Sequence, residues 1–249
     1  VQQRLGDSGV VDGTGEPAPA PGKEGYKGEN ALQLIMLDAL AKRLRQKRFR
    51  HGSINFDTEE LHFDIDEKGK PTRCYFKRSK DANKLIEEFM LLANRTVAES
   101  VACPGKGKKP KTLPYRIHDD PDPQKLENLR ELTAKLGYKM KSTSTKGATA
   151  RALNKLMEEV DGHREAKLVQ TIALRSMMKA KYSTHNIGHF GLAFDYYTHF
   201  TSPIRRYPDT MVHRLLTRYQ DGGRSANKNH YEELCEHCSD MEQIAQNAE

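Results

Sequence analysis

The chain has 249 residues, 30% of them charged, with a formal net charge of +7 at neutral pH. This length allows one sizeable core or two small domains, and the basic surplus suggests an anionic partner. The hydrophobic residues, 36% of the total, include no long apolar run, which excludes a membrane-spanning helix, and no signal peptide is visible. We therefore expect a cytoplasmic protein with no membrane partner.

Residues 1–28 do not have the pattern of a packed domain. Residues 1–7 are predicted to be the end of a helix, and residues 7–28 are rich in Gly and Pro, which predicts a flexible loop. Because Val1 falls inside a helical pattern and is not an initiator Met, the chain is expected to be a fragment or a processed form. Residues 29–249 are expected to form the folded domain.

Hydrophobic periodicity predicts an α+β fold with more helix than sheet. Helices are predicted at about residues 30–49, 80–101, 122–136, 148–160, 164–182 and 229–249, and strands at SINF, LHFDI, RCYFK, YRIH and residues 189–194. In the first helix a core face is predicted from the spacing of Leu32, Ile35, Met36, Ala39 and Leu40. Two basic segments, KRLRQKRFR and PGKGKKPK, could contact phosphates or be solvated surface.

The segment YTHFTSPIRRYPDTMVHRLL, residues 197–216, has the pattern of a helix N-terminus that binds an anion. Ser202 is predicted to cap the helix, with Pro203 at its first position. Arg205 and Arg206 then fall in the first turn, where their charge opposes the helix dipole. A phosphate on the free backbone N–H groups would offset that charge, so the pattern favours a phosphate ligand.

The same segment also predicts how its arginines are held. Asp209 follows Arg205 by four residues and Arg206 by three, so it can pair with either guanidinium. Pro208 lacks the N–H of a helix interior and predicts a kink. A surface helix with solvated charges is the alternative interpretation.

No metal site is predicted in this chain. Cys235 and Cys238 form a single C-x-x-C without a second pair, which is weak evidence for zinc. The acidic run before the third helix is interpreted as a turn and a cap at Asp122. Three histidines lie in or near residues 197–216, and they are His185, His189 and His199. They are predicted to be structural.

Together with the preceding GHFGLAFDY, residues 188–196, the segment at residues 197–216 resembles the signature of the ribonuclease II/ribonuclease R family. The members of this family are exoribonucleases built on the RNB catalytic domain. GSINFDTEE, ANKLIEEFMLLAN and RIHDDPDP precede it in the order of that family. The chain is most similar to the bacterial ribonuclease R members, and the resemblance covers nearly all of residues 29–249. It implies a C-terminal portion of an RNB domain, with several helices packed on a small, mainly antiparallel sheet.

The resemblance also implies an activity. The parent protein would be a processive 3′→5′ exoribonuclease that degrades single-stranded and structured RNA to nucleoside 5′-monophosphates, with Mg²⁺ activating the attacking water. In the family the aspartates that hold Mg²⁺ lie in a motif upstream of the position of Val1, and no equivalent aspartate run occurs in this chain. The chain alone is therefore expected to be inactive. Single-stranded RNA is the expected partner, no small-molecule cofactor is expected, and the parent enzyme is expected to be monomeric.

The site residues carry over by motif position. Arg205 would neutralise the scissile phosphate, and Glu249 would support the active site. Phe56 would stack on a terminal base, and Glu87 would contact a ribose, although from pattern alone these two could be a core aromatic and a solvated charge. The remaining residues, assigned to RNA contact or to holding the signature helix in place, are Arg206, Ser202, Asp209 and His213.

Two other functions remain open at this point. The chain could be a non-catalytic RNA-binding module or scaffold. It could also belong to an unrelated phosphohydrolase that uses the arginine-rich helix, but that enzyme would need metal ligands that the sequence does not show.

Overall fold

The computed structural model describes residues 5–6, 9–10, 30–55, 60–77, 79–141 and 145–248. The chain divides into two compact units, the first from residues 1–47 and 56–89 and the second from residues 48–55 and 90–249. None of the helices in the described ranges is long and apolar enough to cross a bilayer.

The described residues form helices and paired strands, which confirms the predicted α+β fold. The helices are α1 (Ala31–Arg50), α2 (Asp81–Ala102), α3 (Pro123–Lys135), α4 (Lys146–Val160), α5 (Ala166–Ser176), α6 (Tyr207–Gln220) and α7 (Lys228–Ala248). The strands are β1 (Leu5–Gly6), β2 (Gly9–Val10), β3 (Glu60–Ile65), β4 (Pro71–Lys77), β5 (Tyr115–Ile117) and β6 (Lys181–Ser183). They pair antiparallel as β1–β2, β3–β4 and β5–β6.

The first unit contains the hairpin predicted from LHFDI and RCYFK. Asp66 organises its turn, because one carboxylate oxygen accepts the backbone N–H groups of Lys68 and Lys70 at 2.9 and 2.8 Å. Gly69 has a φ of +78°, which favours glycine at this position. Residues 5–6 differ from the prediction, since they form a strand pair with residues 9–10 instead of the end of a helix.

Helix α1 does not bury the predicted core face. Leu32, Met36 and Leu40 are 72%, 73% and 44% exposed, whereas Ala41 is buried. Ala41 packs against α2, and Lys42 binds Asp81 of α2 at 3.1 Å. Helix α1 therefore contributes a small side chain and an ion pair to this contact, and its own larger residues Leu32, Met36 and Leu40 are not part of it.

The second unit is built around the β5–β6 pair, in which Tyr115 lies opposite Ser183 and Ile117 opposite Lys181. Its main core combines α2, β5 and α6, and its buried residues include Ala98, Val101, Tyr115, Ile117, Val212 and Leu215. A smaller cluster joins β6, α6 and α7 through Tyr182, Met211 and Cys235. These cores place β6, α6 and α7 around one region of the unit.

The element boundaries follow the predictions where the signals are local. Asp122 caps α3 as predicted and accepts the N–H groups of Gln124 and Lys125 at 2.9 and 3.1 Å. The helix predicted over 164–182 is wrong at its end, because α5 stops at Ser176 and residues 181–183 pair with β5. The strand predicted over 189–194 is also wrong, since Phe190–Leu192 form a 3₁₀ turn. Residues 53–55 of the predicted SINF strand have no regular structure.

Candidate functional site

Helix α6 begins later than the sequence predicts. It starts at Tyr207, and its N-cap residue is Arg206, with φ −126° and ψ 116°, so Ser202 is not the cap and Pro203 is not the first helical residue. Pro208 lies at the second helical position, where a missing N–H removes no helical hydrogen bond. The kink predicted at Pro208 is therefore not needed.

The residues before α6, 197–206, form a loop that we call the signature loop. Its last part is a single turn, in which the carbonyl of Ser202 accepts the N–H groups of Arg205 and Arg206 at 3.3 and 3.0 Å. Thr210 of α6 donates its hydroxyl to the carbonyl of Pro203 at 2.9 Å. The turn is thus tied to the first part of α6 without being part of it.

Asp209 is the residue that joins the signature loop to α6. Its side chain is fully buried, and one carboxylate oxygen accepts both the N–H of Ser202 at 2.8 Å and Nη2 of Arg206 at 2.9 Å. An acidic residue in the first turn also complements the helix dipole. The negative charge predicted for this helix N-terminus is therefore supplied by Asp209, and a phosphate on the backbone N–H groups is not required there.

Arg205 and Arg206 have different surroundings. The side chain of Arg206 is 22% exposed and paired with Asp209. Arg205 is exposed, and within the described part of the chain its guanidinium has no hydrogen bond or ion pair. Of the two adjacent arginines, Arg205 is thus the one available to an external anion.

Two further side chains fix the start of the signature loop. Asn94 of α2 is buried, and its amide oxygen accepts the N–H groups of Phe200 and Thr201 at 3.0 and 3.2 Å, while its Nδ2 donates to Tyr197 Oη at 3.1 Å. His213 of α6 stacks on the Phe200 ring with centroids 4.0 Å apart, and its Nε2 lies 2.9 Å from the Phe200 carbonyl oxygen. These contacts hold His213 against Phe200 of the signature loop.

A third arginine lies near the signature loop. Arg116 of β5 forms a two-point ion pair with Glu242 of α7, with N–O distances of 2.6 and 3.1 Å. Its guanidinium also lies 4.5 Å from the centroid of the Tyr182 ring. The sequence predicts no role for Arg116 or Asn94, because the partners of these residues are far away along the chain. Their only signal was their place in motifs shared with the ribonuclease family.

The histidines of this region are held neutral. Burial, followed by the charges of Arg206 and Arg116, lowers the pKa of His199 to about 2. Burial also lowers the pKa of His189 to about 3, with a smaller contribution from its neighbour His118. Neither ring belongs to a cluster of potential metal ligands, since the described residues contain no group of three His, Cys, Asp or Glu side chains that could hold a metal ion.

These depressed pKa values predict acid-dependent stability. An unfolded chain binds a proton on each histidine below about pH 6.5, whereas the folded chain does not until far lower pH. The free energy of unfolding is therefore expected to fall between about pH 6.5 and 5, by at most about 1.4 kcal/mol per pH unit for each histidine. Urea unfolding across this range measures the slope, and His199→Gln should reduce it. An unchanged stability from about pH 6.5 to 5 would contradict the neutral assignment.

The GHFGLAFDY motif lines a cavity of about 350 Å³ in the second unit. Its walls include His51, Gly52, Gly147 and Gly188. Gly188 has a φ of +84°, and a Cβ there would lie 3.1 Å from the Phe194 carbonyl oxygen, so glycine is required for both reasons. The motif therefore has a structural reason for its composition.

The remaining predicted site residues are Glu87, Phe56 and Glu249. Glu87 lies on α2 in the first unit and is exposed, while its neighbour Glu88 is buried. Phe56 and Glu249 lie outside the described residues. Cys235 and Cys238 belong to no group of three potential metal ligands among the described residues, and Cys235 packs in the core, where burial raises the pKa of its thiol to about 12.

The α+β fold and the arginines of the second unit define a protein with a candidate site for an anion. The chain belongs to the RNB domain family, whose match covers residues 11–222. It is 42% identical to ribonuclease R of Aquifex aeolicus over 219 residues, which are 87% of this chain and 30% of that protein. It is 37% identical to ribonuclease R of Escherichia coli over 224 residues, which are 85% of this chain and 27% of that protein.

The chain also matches solved structures that have the same fold. Mycoplasma genitalium ribonuclease R in complex with ribose-methylated single-stranded RNA matches with a TM-score of 0.77 and 27% identity, covering 90% of this chain and 35% of that chain. Yeast Ssd1, a pseudonuclease, shares the fold with a TM-score of 0.62 and 18% identity, covering 86% of this chain and 26% of that chain. The chain thus spans less than a third of the length of the two curated relatives.

Proposed function

We propose that this chain is the RNA-phosphate-binding part of a 3′→5′ exoribonuclease that releases nucleoside 5′-monophosphates. The observation that carries the proposal is the exposed Arg205, which has no partner within the described residues, beside an arginine that is neutralised by Asp209. In a member of the RNB family, the ligand expected for such a guanidinium is an RNA phosphate.

The chemistry assigned to this chain is charge stabilisation. Arg205 would offer two N–H groups to the oxygens of the reacting phosphate, where negative charge increases in the transition state. Arg206, whose charge is balanced by Asp209, would hold the turn that carries Arg205 in one position. By resemblance, Phe56 would stack on a base, Glu87 would contact a ribose, and Glu249 would support the reaction.

Magnesium is assigned no step in this chain. The family chemistry implies Mg²⁺, which would activate the attacking water and stabilise the leaving oxygen. The described residues do not fit such an ion, since no three potential ligands among them come together. We propose that the aspartates that hold Mg²⁺ are supplied by another part of the ribonuclease.

The 249-residue chain is accordingly expected to release no nucleotides from single-stranded RNA in the presence of Mg²⁺. Chromatography of the nucleotide products from a labelled RNA measures this. An active ribonuclease that contains this chain, assayed in parallel, is the positive control. Release of nucleoside monophosphates by the purified chain would show that the metal ligands are present after all.

RNA binding by the chain is expected to be weak and to depend on salt. Each phosphate contact displaces counterions, which lowers log K by about 0.7 for every tenfold increase in salt concentration on a single strand. Arg205→Ala should therefore reduce the salt slope by about 0.7. Lys155→Ala is a matched control, because Lys155 is already paired with Glu159 at 3.4 Å. Affinity that does not change with salt would contradict the proposed phosphate contacts.

A non-catalytic RNA-binding module is the second candidate function. The observation that keeps it open is the shared fold of Ssd1, a pseudonuclease, because a shared fold does not show that a protein cleaves RNA. The two functions differ in the effect of Arg205→Ala on cleavage.

A further inference from the structure

His199 of the signature loop has a contact that its predicted structural role does not explain. Its Nδ1 lies 2.8 Å from the hydroxyl oxygen of Tyr182 on β6. The ring also meets the Tyr182 and Tyr197 rings edge to face, with centroid distances of 5.6 and 5.7 Å. Two tyrosines and one hydrogen bond thus hold the imidazole in a single orientation.

The hydrogen bond to Tyr182 indicates which nitrogen of the His199 imidazole carries the proton. Tyr182 is 5% exposed, and burial raises the pKa of its phenol to about 12, so the hydroxyl keeps its proton. Among the described residues the hydrogen-bond partner of this hydroxyl is Nδ1 of His199, which accepts the hydroxyl proton in the tautomer that leaves Nδ1 unprotonated. A neutral imidazole that accepts at Nδ1 carries its own proton on Nε2.

The Nε2–H group of His199 then needs an acceptor. Within the described ranges the ring has no hydrogen bond besides the one at Nδ1. The charges that reach it are positive, because Arg206, Arg116 and Arg205 all act on the ring electrostatically. Cations cannot accept a hydrogen bond, so none of the three arginines is the acceptor, whereas an anion attracted by their charge could accept from this N–H.

The pairing of the three arginines indicates which of them would bind that anion. Arg116 is neutralised by Glu242 and Arg206 by Asp209. Arg205 has neither a carboxylate nor another hydrogen-bond partner in the part of the chain that the structure describes. The donor of His199 and the cation of Arg205 belong to the same signature loop, six residues apart, and the charge of Arg205 acts on the His199 ring.

We propose that His199 contacts RNA: its Nε2–H donates a hydrogen bond to the phosphate that Arg205 binds, and Tyr182 is the residue that positions it. This inference rests on the proposed function of the signature loop. A neutral donor adds a directed hydrogen bond without adding a fourth positive charge to three arginines. It also stays a donor throughout the physiological pH range, since the imidazole does not titrate there.

The first test measures the two imidazole nitrogens of His199 by ¹H–¹⁵N NMR in the uniformly labelled 249-residue chain. The free chain is expected to show protonated Nε2 and unprotonated Nδ1. Adding a short single-stranded oligouridylate should move the Nε2–H proton signal downfield, as a hydrogen bond to a phosphate oxygen forms. A proton on Nδ1 in the free chain, or an unchanged His199 in the presence of bound RNA, would overturn the inference.

Variants test the same contact by affinity. His199→Phe is expected to weaken oligouridylate binding about 10-fold, as for a lost hydrogen bond to a charged group. His199→Gln should recover part of this loss, because its amide can donate in place of Nε2. Tyr182→Phe should give a mixture of the two tautomers and an intermediate affinity. If His199→Phe does not fold, the NMR measurement on the unmodified chain decides the question.

The outcomes separate this inference from the proposed function. RNA that binds and perturbs the Arg205 side-chain signals, but leaves the His199 signals and the affinity of His199→Phe unchanged, removes the inference alone. No oligouridylate binding at low salt removes the proposed function, and the inference is then wrong as well. A His199→Gln variant that binds as weakly as His199→Phe would show that the ring serves packing only.

Discussion

Replacing Arg205 by alanine in an active ribonuclease that contains this chain is expected to slow RNA cleavage about 10³-fold, with a much smaller change in RNA affinity. Arg205 is exposed and bears no ion pair within the described residues, so its guanidinium can meet the charge that develops on the reacting phosphate. Other phosphate contacts carry most of the binding. Single-turnover decay of a short RNA, measured with its dissociation constant, separates the two effects.

Two further variants sharpen this experiment. Arg205→Lys should restore activity only in part, because an ammonium group cannot offer the planar two-point contact of a guanidinium. Arg214→Ala is a matched control, since Arg214 is an exposed arginine of α6 with no assigned role. A large loss of affinity with an unchanged cleavage rate for Arg205→Ala would show that this arginine only tethers RNA.

The second large effect is expected from the pair formed by Arg206 and Asp209. Arg206→Ala leaves the carboxylate of Asp209, which is 0% exposed, without its counter-charge. Removing one member of a buried ion pair destabilises a protein by about 3–5 kcal/mol, and we expect a loss of free energy of unfolding in that range. Urea unfolding measures it.

A control and a double variant test whether the loss of stability comes from the unpaired charge of Asp209. Lys155→Ala breaks an ion pair whose side chains are 71% and 38% exposed, and it should change stability by less than about 1 kcal/mol. Combining Arg206→Ala with Asp209→Asn removes both charges but keeps an oxygen that can accept the Ser202 N–H, and it should be less destabilising than Arg206→Ala with an intact Asp209. Equal unfolding free energies for Arg206→Ala and Lys155→Ala would show that the pair does not stabilise the loop.

Local signals predicted the elements whose ends depend on nearby residues. Helix α3 is the best case, because Asp122 caps its start and Gly137, with a φ of +92°, follows its end. The hairpin of β3 and β4 was found for the same reason, since Asp66 and Gly69 form the turn within a few residues. In both elements the side chains that decide the structure are neighbours in sequence.

The start of α6 was missed because a tertiary contact overrides a local one. Ser202 and Pro203 have the pattern of a cap and a first helical residue, but the N–H of Ser202 binds Asp209 instead, and Arg206 is extended. Pro208 was the signal that could have found the correct start. A residue without an N–H is accepted in the first turn of a helix, so a helix that contains Pro208 should begin close to it.

Long-range pairing accounts for the other differences. The sequence favours helix through residue 182, but Lys181–Ser183 gain strand partners in Tyr115–Ile117, more than 60 residues away. The bond between Tyr182 and His199 depends on that pairing, as does the place of Arg116 beside the ring of Tyr182. The candidate site is assembled from β5, β6, α6 and α7, and no short window of sequence contains these contacts.

The signature loop also has a thermodynamic consequence. Three consecutive backbone N–H groups, those of Phe200, Thr201 and Ser202, are bound by the side chains of Asn94 and Asp209 from two different helices. The conformational entropy of this segment is therefore lost when the domain folds, and an incoming ligand does not have to order it again. RNA binding should leave the hydrogen exchange of these three amides almost unchanged, because they are already protected in the free protein.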